Sequence, residues 1–391
     1  MCGRSPCPLL KRVENSLPKV VHNSKELFGA SPPSVFVGRY GYPRVAAGPM
    51  IPLGDVEDPR ILSDPGRWLN MPMEDMVALR SILMRPVARA DVYRPRSAGS
   101  VIDSAGEIAL SSIPVDTEVF LEKAPRNTRV SMDIFEAPMG PTAPALRARV
   151  VDNVVVPRRV DYIVGDTDMG ASEGVLDLYQ RGVGEEHIQR LLSTGQLGVG
   201  YRRRMVPTRW TITAVQDMIA KDLMKVVKTF PQVNSFSLYS HTLLGNRFHV
   251  LLVPRVWSFE MVETWLKGAF WGAVPHPFSD YETHRGRKTY ANKVTGAYYA
   301  ARLSVLEKLE KQRRQASCII YREITSEYWA PLGVWVIREG VKQALSSPPM
   351  TFDTLDKAIQ HACTGVDIKD WPDSSVLLRD ISRQKRLEDF A

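Results

Sequence analysis

The chain has 391 residues, 44% of them hydrophobic and 24% charged, enough for two or three domains with buried cores. No apolar run approaches the roughly 18 residues needed to span a bilayer, and the N-terminus lacks the apolar stretch of a signal peptide. The expected location is the cytoplasm, with no membrane partner, and an excess of 51 Lys+Arg over 43 Asp+Glu favours nucleic acid as the partner class.

Residues 1–50 are irregular and rich in proline and glycine. Cys2-x-x-x-x-Cys7 could supply two of the four ligands a structural zinc needs. The next candidate, His22, stands alone, so the spacing favours two ordinary cysteines. With Cys318 and Cys363 the total is four, too few and too scattered for a disulfide framework. Val35 to Val37 predicts a short strand running into Gly38-Arg39-Tyr40-Gly41-Tyr42-Pro43. Glycines flanking Arg39 suit phosphate or nucleotide contact through backbone N–H groups and a guanidinium, and equally suit a structural turn.

Helical spacing marks residues 73–84. Residues 85–135 read as β-rich, with strands at Ile108-Ala109-Leu110 and Thr117 to Leu121 and another over Asn127 to Phe135. Prolines 138, 141 and 144 mark an exposed connection, and Val150 to Val156 is apolar enough for a buried strand. Asp166-Thr167-Asp168, the nearest approach to a nuclease-like carboxylate pair, sits between Gly165 and Gly170 and reads as a solvated loop. One or two helices follow over residues 174–195.

The densest basic cluster is Tyr201-Arg202-Arg203-Arg204-Met205-Val206-Pro207-Thr208-Arg209-Trp210. Arg202, Arg203, Arg204 and Arg209 interleaved with aromatic rings fit phosphate contacts plus stacking on Trp210, so these five are the candidate nucleic-acid-binding residues; a solvated charged loop is the alternative. A helix then runs to about residue 228. Phe236 to Tyr239 and Phe248 to Val253 pair as strands around Gly245-Asn246. Phe259 to Phe270 has the spacing of a helix, 291–315 of a longer one. Cys318 to Tyr321 and Gly333 to Ile337 read as strands, Val341 to Leu345 and Leu355 to Cys363 as helices.

The fold class expected from this mixture is α+β, or mixed α/β. It divides into an irregular segment 1–30, a large mixed domain 31–280, a smaller helix-rich domain 281–372 and a tail 373–391.

The tail ends in Gln384-Lys385-Arg386-Leu387-Glu388-Asp389-Phe390-Ala391. One 3₁₀ turn would place Leu387 and Phe390 on one side, with the Gln384 amide at a pocket rim. This resembles the peptide by which replication and repair proteins bind the sliding clamp PCNA, although that peptide usually ends in two aromatics and Ala391 takes the second place here. Leu377, Ile381, Gln384 and Leu387 also fit an amphipathic helix end.

Several longer motifs, in one order along nearly the whole chain, resemble the archaeal Nre family. They are Cys2-Gly3-Arg4-x-x-Cys7-Pro8, Phe36 through Pro43, Val206-Pro207-Thr208-Arg209-Trp210-x-Ile212-Thr213-Ala214, Arg322-Glu323-Ile324-x-x-x-Tyr328-Trp329-Ala330-Pro331-Leu332-Gly333-Val334-Trp335, and Gln384 through Phe390. The resemblance implies a DNA repair protein with DNA and the PCNA clamp as partners, the clamp held by Gln384, Leu387 and Phe390. Family members often carry an earlier Cys-x-x-Cys that could complete a zinc site with Cys2 and Cys7; this chain begins at the second pair. A weaker resemblance links Val35 through Arg39 and His249 through Pro254 to DarT-type DNA ADP-ribosyltransferases. There Arg39 would contact NAD, and His249 stands in the place of the catalytic glutamate. Binding protein and enzyme, active or degenerate, both stay open on these residues.

Overall fold

The computed structural model describes residues 24–95, 99–125, 135–272 and 274–383. They form two compact units that divide between Ile219 and Ala220, inside one helix.

The first unit contains the strands β1 (Glu26–Ser31), β2 (Val35–Val37), β3 (Arg44–Pro49) and β4 (Ile51–Pro52), then helix α1 (Met73–Ser81) and strand β5 (Leu83–Asp91). Helix α2 (Ser100–Leu110), strands β6 (Val115–Leu121) and β7 (Thr142–Val150), and helices α3 (Arg158–Gly165), α4 (Ala171–Gln180) and α5 (Glu185–Ser193) follow. Helix α6 (Thr208–Val227) begins here. The strands form one sheet in the order β1-β6-β7-β5-β3-β2, with β4 also paired to β5. Only β5 and β7 run parallel.

Helix α2 supplies much of the core. Val101 packs with Met84, Val119 and Ala143, Ile102 with Val37, Val45 and Met205, and Ala105 and Ile108 with Val35 and Val115. Burying each of Val101, Ile102 and Ile108 contributes roughly 1.5–3 kcal/mol. The expected strand at Ile108-Ala109-Leu110 is therefore the last turn of this helix. Its apolar positions 101, 102, 105, 108 and 109 recur at helical spacing, a period longer than the three residues that suggested a strand. The expected strand over 150–156 also ends early. Only Val150 belongs to β7, and Val151 and Val155 are exposed around Asp152 and Asn153.

The second unit holds β8 (Phe236–Leu243), β9 (Asn246–Val253), β10 (Ser258–Trp265) and β11 (Phe278–Glu282), helix α7 (Gly296–Gln312), β12 (Ser317–Ile324) and helix α8 (Trp335–Ser346). Strand β13 (Met350–Phe352) and helices α9 (Leu355–Ala362) and α10 (Val376–Arg383) complete it. The sheet order is β11-β10-β12-β9-β8-β13, with β10 and β12 parallel. Helices cover both faces. On one, Leu238, Leu251, Val262 and Ile319 pack against Ala358, Ala362, Leu377 and Leu378. On the other, Phe259 meets the edge of Tyr298 from α7, and Gly340 of α8 lies against Phe248 so closely that a Cβ would stand 2.3 Å from its ring.

Burial on both faces explains two departures from the sequence reading. The segment 259–270, expected as a helix, is mostly β10, whose six inner positions are all buried; a strand covered on both sides loses its alternation and mimics a helical pattern. Gly333 to Ile337, expected as a strand, is a turn at Gly333–Val334 followed by the first three residues of α8, in which Trp335, Arg338, Val341 and Leu345 are buried.

The expected division near residue 280 falls inside this second sheet. β10 and β11 pair from Phe259 opposite Glu282 to Glu263 opposite Phe278, so the strands on either side of that point share one core. Among the described residues no helix is long and apolar enough to cross a membrane.

Candidate nucleic-acid interface

Three segments far apart in sequence meet on the first unit. The β2–β3 turn is closed by Gly38 N–H donating to the Ala46 carbonyl at 2.8 Å and Arg44 N–H donating to the Gly41 carbonyl at 2.9 Å. Gly41 has φ +81°, and a Cβ there would stand 2.9 Å from the Arg44 carbonyl oxygen, so the turn requires glycine. The Tyr42–Pro43 peptide is cis. Past β5 the chain turns at Asp91, whose carboxylate accepts the Tyr93 N–H at 3.0 Å, while Val92 N–H donates to the Pro43 carbonyl.

The basic cluster docks against both. Met205 N–H donates to the Val92 carbonyl at 2.9 Å, and the Met205 side chain is buried with Val37, Val45 and Val92. Val206 N–H donates to the Ser193 carbonyl, and Ser193 Oγ–H returns a bond to the Val206 carbonyl at 2.8 Å. Val37 N–H donates to Thr208 Oγ1 at 2.9 Å. Apolar and backbone groups of 205–208 thus face inward, leaving their neighbours at the surface.

Those neighbours are aromatic rings and guanidiniums. Tyr42, Tyr93 and Trp210 are 45%, 47% and 44% exposed, yet they touch one another: Tyr42 meets Trp210 at 5.5 Å between ring centroids and Tyr93 at 6.4 Å, edge-on. A hydrogen bond to Tyr93, with partial burial, raises the Tyr42 pKa, while the positive charge of Arg204 lowers it. Arg204 lies 4.8 Å over the Tyr93 ring, Arg202 5.1 Å over Tyr201, and Arg209 4.0 Å over Phe135. Arg39 lies 4.5 Å over Tyr40 and donates to its hydroxyl, and Arg89 donates to the Arg44 carbonyl. Among the described residues, Arg39, Arg44, Arg89, Arg202 and Arg204 have no carboxylate partner, unlike Arg67, Arg149 and Arg181, which are each paired. Aromatic-backed guanidiniums without counter-charges present a positive surface with flat apolar faces, the chemistry of a phosphate backbone with exposed bases.

The family signature described as Archaeal Nre, N-terminal matches residues 1–272, and that described as Archaeal Nre, C-terminal matches residues 282–390. The chain belongs to the archaeal Nre family. It is 36% identical over 372 residues to the DNA repair protein NreA of Archaeoglobus fulgidus, covering 95% of this chain and 93% of the relative. It is 35% identical over 394 residues to the DNA repair protein NreB of the same organism, covering 100% and 97% respectively. The DNA repair protein NreA of Haloferax volcanii is 34% identical over 346 residues, 85% of this chain and 81% of its own. No solved structure matches.

In this Nre chain the predicted site residues separate into distinct environments. Arg202, Arg204 and Trp210 are exposed and Arg209 is partly so. Arg203 is different: it is 3% exposed, and its guanidinium donates to the carbonyls of Gly198, Val164 and Asp166, each at 2.8 Å. It ties the 198–203 loop to the end of α3 and is not placed to meet a phosphate. Asp166, one of the nuclease-like carboxylates, accepts the backbone N–H groups of Asp168 and Met169 and so shapes the turn before α4. Among the described residues no group of three or more His, Cys, Asp or Glu is placed to hold a metal ion. Cys2, Cys7, Gln384, Leu387 and Phe390 lie outside the described residues.

Arg39 and His249, paired in the nucleotide reading, belong to different units. His249 on β9 is bonded through Nδ1 to Ser240 Oγ at 2.8 Å. Burial, helped by the positive charges of His361 and Arg247, pushes its pKa down to about 4, so it is neutral at pH 7. On the same strand Arg247 opens onto a cleft of about 500 Å³ with Thr242, Lys267, Ser326 and Asp367, and is held there by Glu323 at 2.8 Å and Asp367 at 3.0 Å.

Sequence reasoning missed Tyr42, Tyr93, Arg44 and Arg89 as members of the surface. Tyr42 was visible in a glycine-rich motif, but nothing local links it to Tyr93 or to Trp210. Only the strand pairing of β3 with β5 and the docking of 205–208 bring them together.

Proposed function

We propose that this protein acts in DNA repair, binds DNA through the surface carrying Arg202, Arg204, Arg209 and Trp210, and is brought to DNA by the PCNA sliding clamp. The observation that carries the DNA-binding part is the exposed pair Arg202 and Arg204, each over an aromatic ring and, among the described residues, without a carboxylate partner, in the segment that leads to Trp210. The names of the relatives support the repair role. The clamp part rests on the spacing of Gln384, Leu387 and Phe390, which offers two apolar side chains and an amide to a single pocket.

Two titrations test the proposal. DNA affinity measured against salt should fall steeply, and Arg202→Ala and Arg204→Ala should each reduce the salt slope by about 1. Clamp binding by the full chain should be lost on deleting 384–391 or with Phe390→Ala, and should tighten with Ala391→Phe, which restores the second aromatic. Salt-independent DNA binding, or equal clamp binding by the full and shortened chains, would remove the corresponding half of the proposal.

A further inference from the structure

The aromatic rings on the first unit carry an inference about the form of the DNA, which rests on the DNA-binding reading above. We propose that Tyr42, Tyr93 and Trp210 form a stacking bracket for unpaired nucleobases, flanked by Arg39, Arg44 and Arg204 as phosphate contacts, so that the protein selects single-stranded DNA over duplex.

Each ring is a large apolar group left nearly half exposed, although the neighbouring Met205 and Val92 are fully inside. The positions come from three separate segments, each fixed by a hydrogen bond from a backbone N–H: Arg44 N–H to the Gly41 carbonyl, Tyr93 N–H to the Asp91 carboxylate, and Trp210 N–H to the Pro207 carbonyl at 2.8 Å. The rings are therefore held apart from the core by bonded turns, not left over from imperfect packing. Their mutual contacts are tilted or edge-on: the Tyr42 and Trp210 planes differ by 48°, and those of Tyr42 and Tyr93 by 71°. An edge-on contact occupies part of one face of one partner and Arg204 lies over Tyr93, while each of the three residues stays close to half open to solvent.

A duplex cannot use such faces, because its bases are already stacked on one another and present only edges and backbone. An unpaired base can, and base–aromatic stacking is sequence-tolerant because every base has a π-face. Arg39 and Arg44 flank Tyr42 in the chain across the β2–β3 turn and Arg204 lies over Tyr93, so these cations are close enough to take the phosphates of a strand stacked on the rings.

The test uses the full-length protein and three labelled oligonucleotides of equal length: a single strand of thymidines, the corresponding duplex, and a single strand of abasic sites. The abasic strand keeps the phosphates and removes the bases. Fluorescence anisotropy should show the thymidine strand bound about ten-fold or more tighter than the abasic strand, the size of one or two stacked bases. Tyr42→Ala and Trp210→Ala should bring the thymidine strand down to the abasic level while leaving the abasic affinity unchanged. Tyr42→Phe and Trp210→Phe, which keep a ring, should hold most of the preference and serve as folding-neutral controls. Arg204→Ala should weaken both single strands alike. Equal binding of the thymidine and abasic strands, or a preference that survives both alanine variants, would overturn the bracket while leaving DNA binding intact. Failure to bind any of the three at low salt would overturn the DNA-binding reading itself and the bracket with it.

Discussion

Val37 and Thr208 are 171 residues apart, and the backbone N–H of one donates to the side-chain oxygen of the other at 2.9 Å. This bond joins the strand that precedes the Gly38–Pro43 turn to the first residue of α6, two residues before Trp210. It sets the separation between the two halves of the aromatic surface. Thr208→Ala leaves a partly buried N–H without its acceptor and should cost about 1–2 kcal/mol. Thr208→Ser restores the oxygen and most of the stability. Urea unfolding of the three proteins checks this, and the Ala variant should also bind DNA more weakly than wild type although Thr208 itself is not a proposed contact.

Adjacent arginines should behave oppositely. Arg203→Ala removes charge-assisted donors to three carbonyls in a buried site, and an expected loss of about 2–4 kcal/mol follows. Lysine in its place cannot span the same three acceptors and should rescue only part. Arg204→Ala and Arg202→Ala should leave stability within about 1 kcal/mol of wild type, since they give up exposed ring contacts alone. Melting curves run beside DNA titrations would separate the two classes. A stable Arg203→Ala protein with reduced DNA binding would show that the buried bonds matter less than their number suggests.

His249 predicts a pH dependence. Its folded pKa lies at about 4, below the ordinary histidine value, because burial disfavours the charged ring. The unfolded chain therefore takes up the proton first as pH falls. Stability from this residue is complete above about pH 6.5, declines between there and about pH 4, and levels off below; the whole span is worth ~3 kcal/mol at most. His249→Gln, which cannot titrate, should lose less stability between pH 7 and pH 4.5 than wild type. Parallel loss in both proteins would mean that other groups dominate the acid limb.

Glu260 on β10 holds the last described helix. Its carboxylate accepts Ser375 Oγ–H at 2.5 Å and the N–H groups of Val376 and Leu377 at 2.9 Å, satisfying the first turn of α10 from outside the helix. Glu260→Ala should free these donors and speed tryptic cleavage at Arg379 and Arg383 several-fold, at a cost of about 2–4 kcal/mol. Glu260→Gln, with one acceptor oxygen, should fall between. Unchanged cleavage in the Ala variant would assign the docking of α10 to Leu377 and Leu378 alone.

The buried strand β12 shows how far pattern reading could go. The sequence reading gives a strand over Cys318 to Tyr321, and the strand in fact runs on through Arg322 and Glu323 to Ile324. All eight positions are buried. Arg322 is neutralised by Glu263 at 2.5 Å and donates to the side-chain amide oxygen Oδ1 of Asn246, while Glu323 accepts from Arg247 and the N–H groups of Asp367 and Ile368. Charges can be buried there because partners from three other segments meet them, and one chain segment read alone cannot reveal that.

What the sequence determined by itself was whatever depends on near neighbours. The α+β mixture, the β2 strand and its glycine turn, the β8–β9 hairpin, helices α4 to α6 and the family motifs were all readable, because periodicity, turn chemistry and motif order are local properties. The tertiary structure decided which arginines of one cluster face water. Arg203 turns inward because three carbonyls wait for it, while Arg202 and Arg204 have none. It also decided that Tyr42, Tyr93 and Trp210 share a surface, because strand pairing and the Val37–Thr208 bond act across distances along the chain that no local pattern encodes.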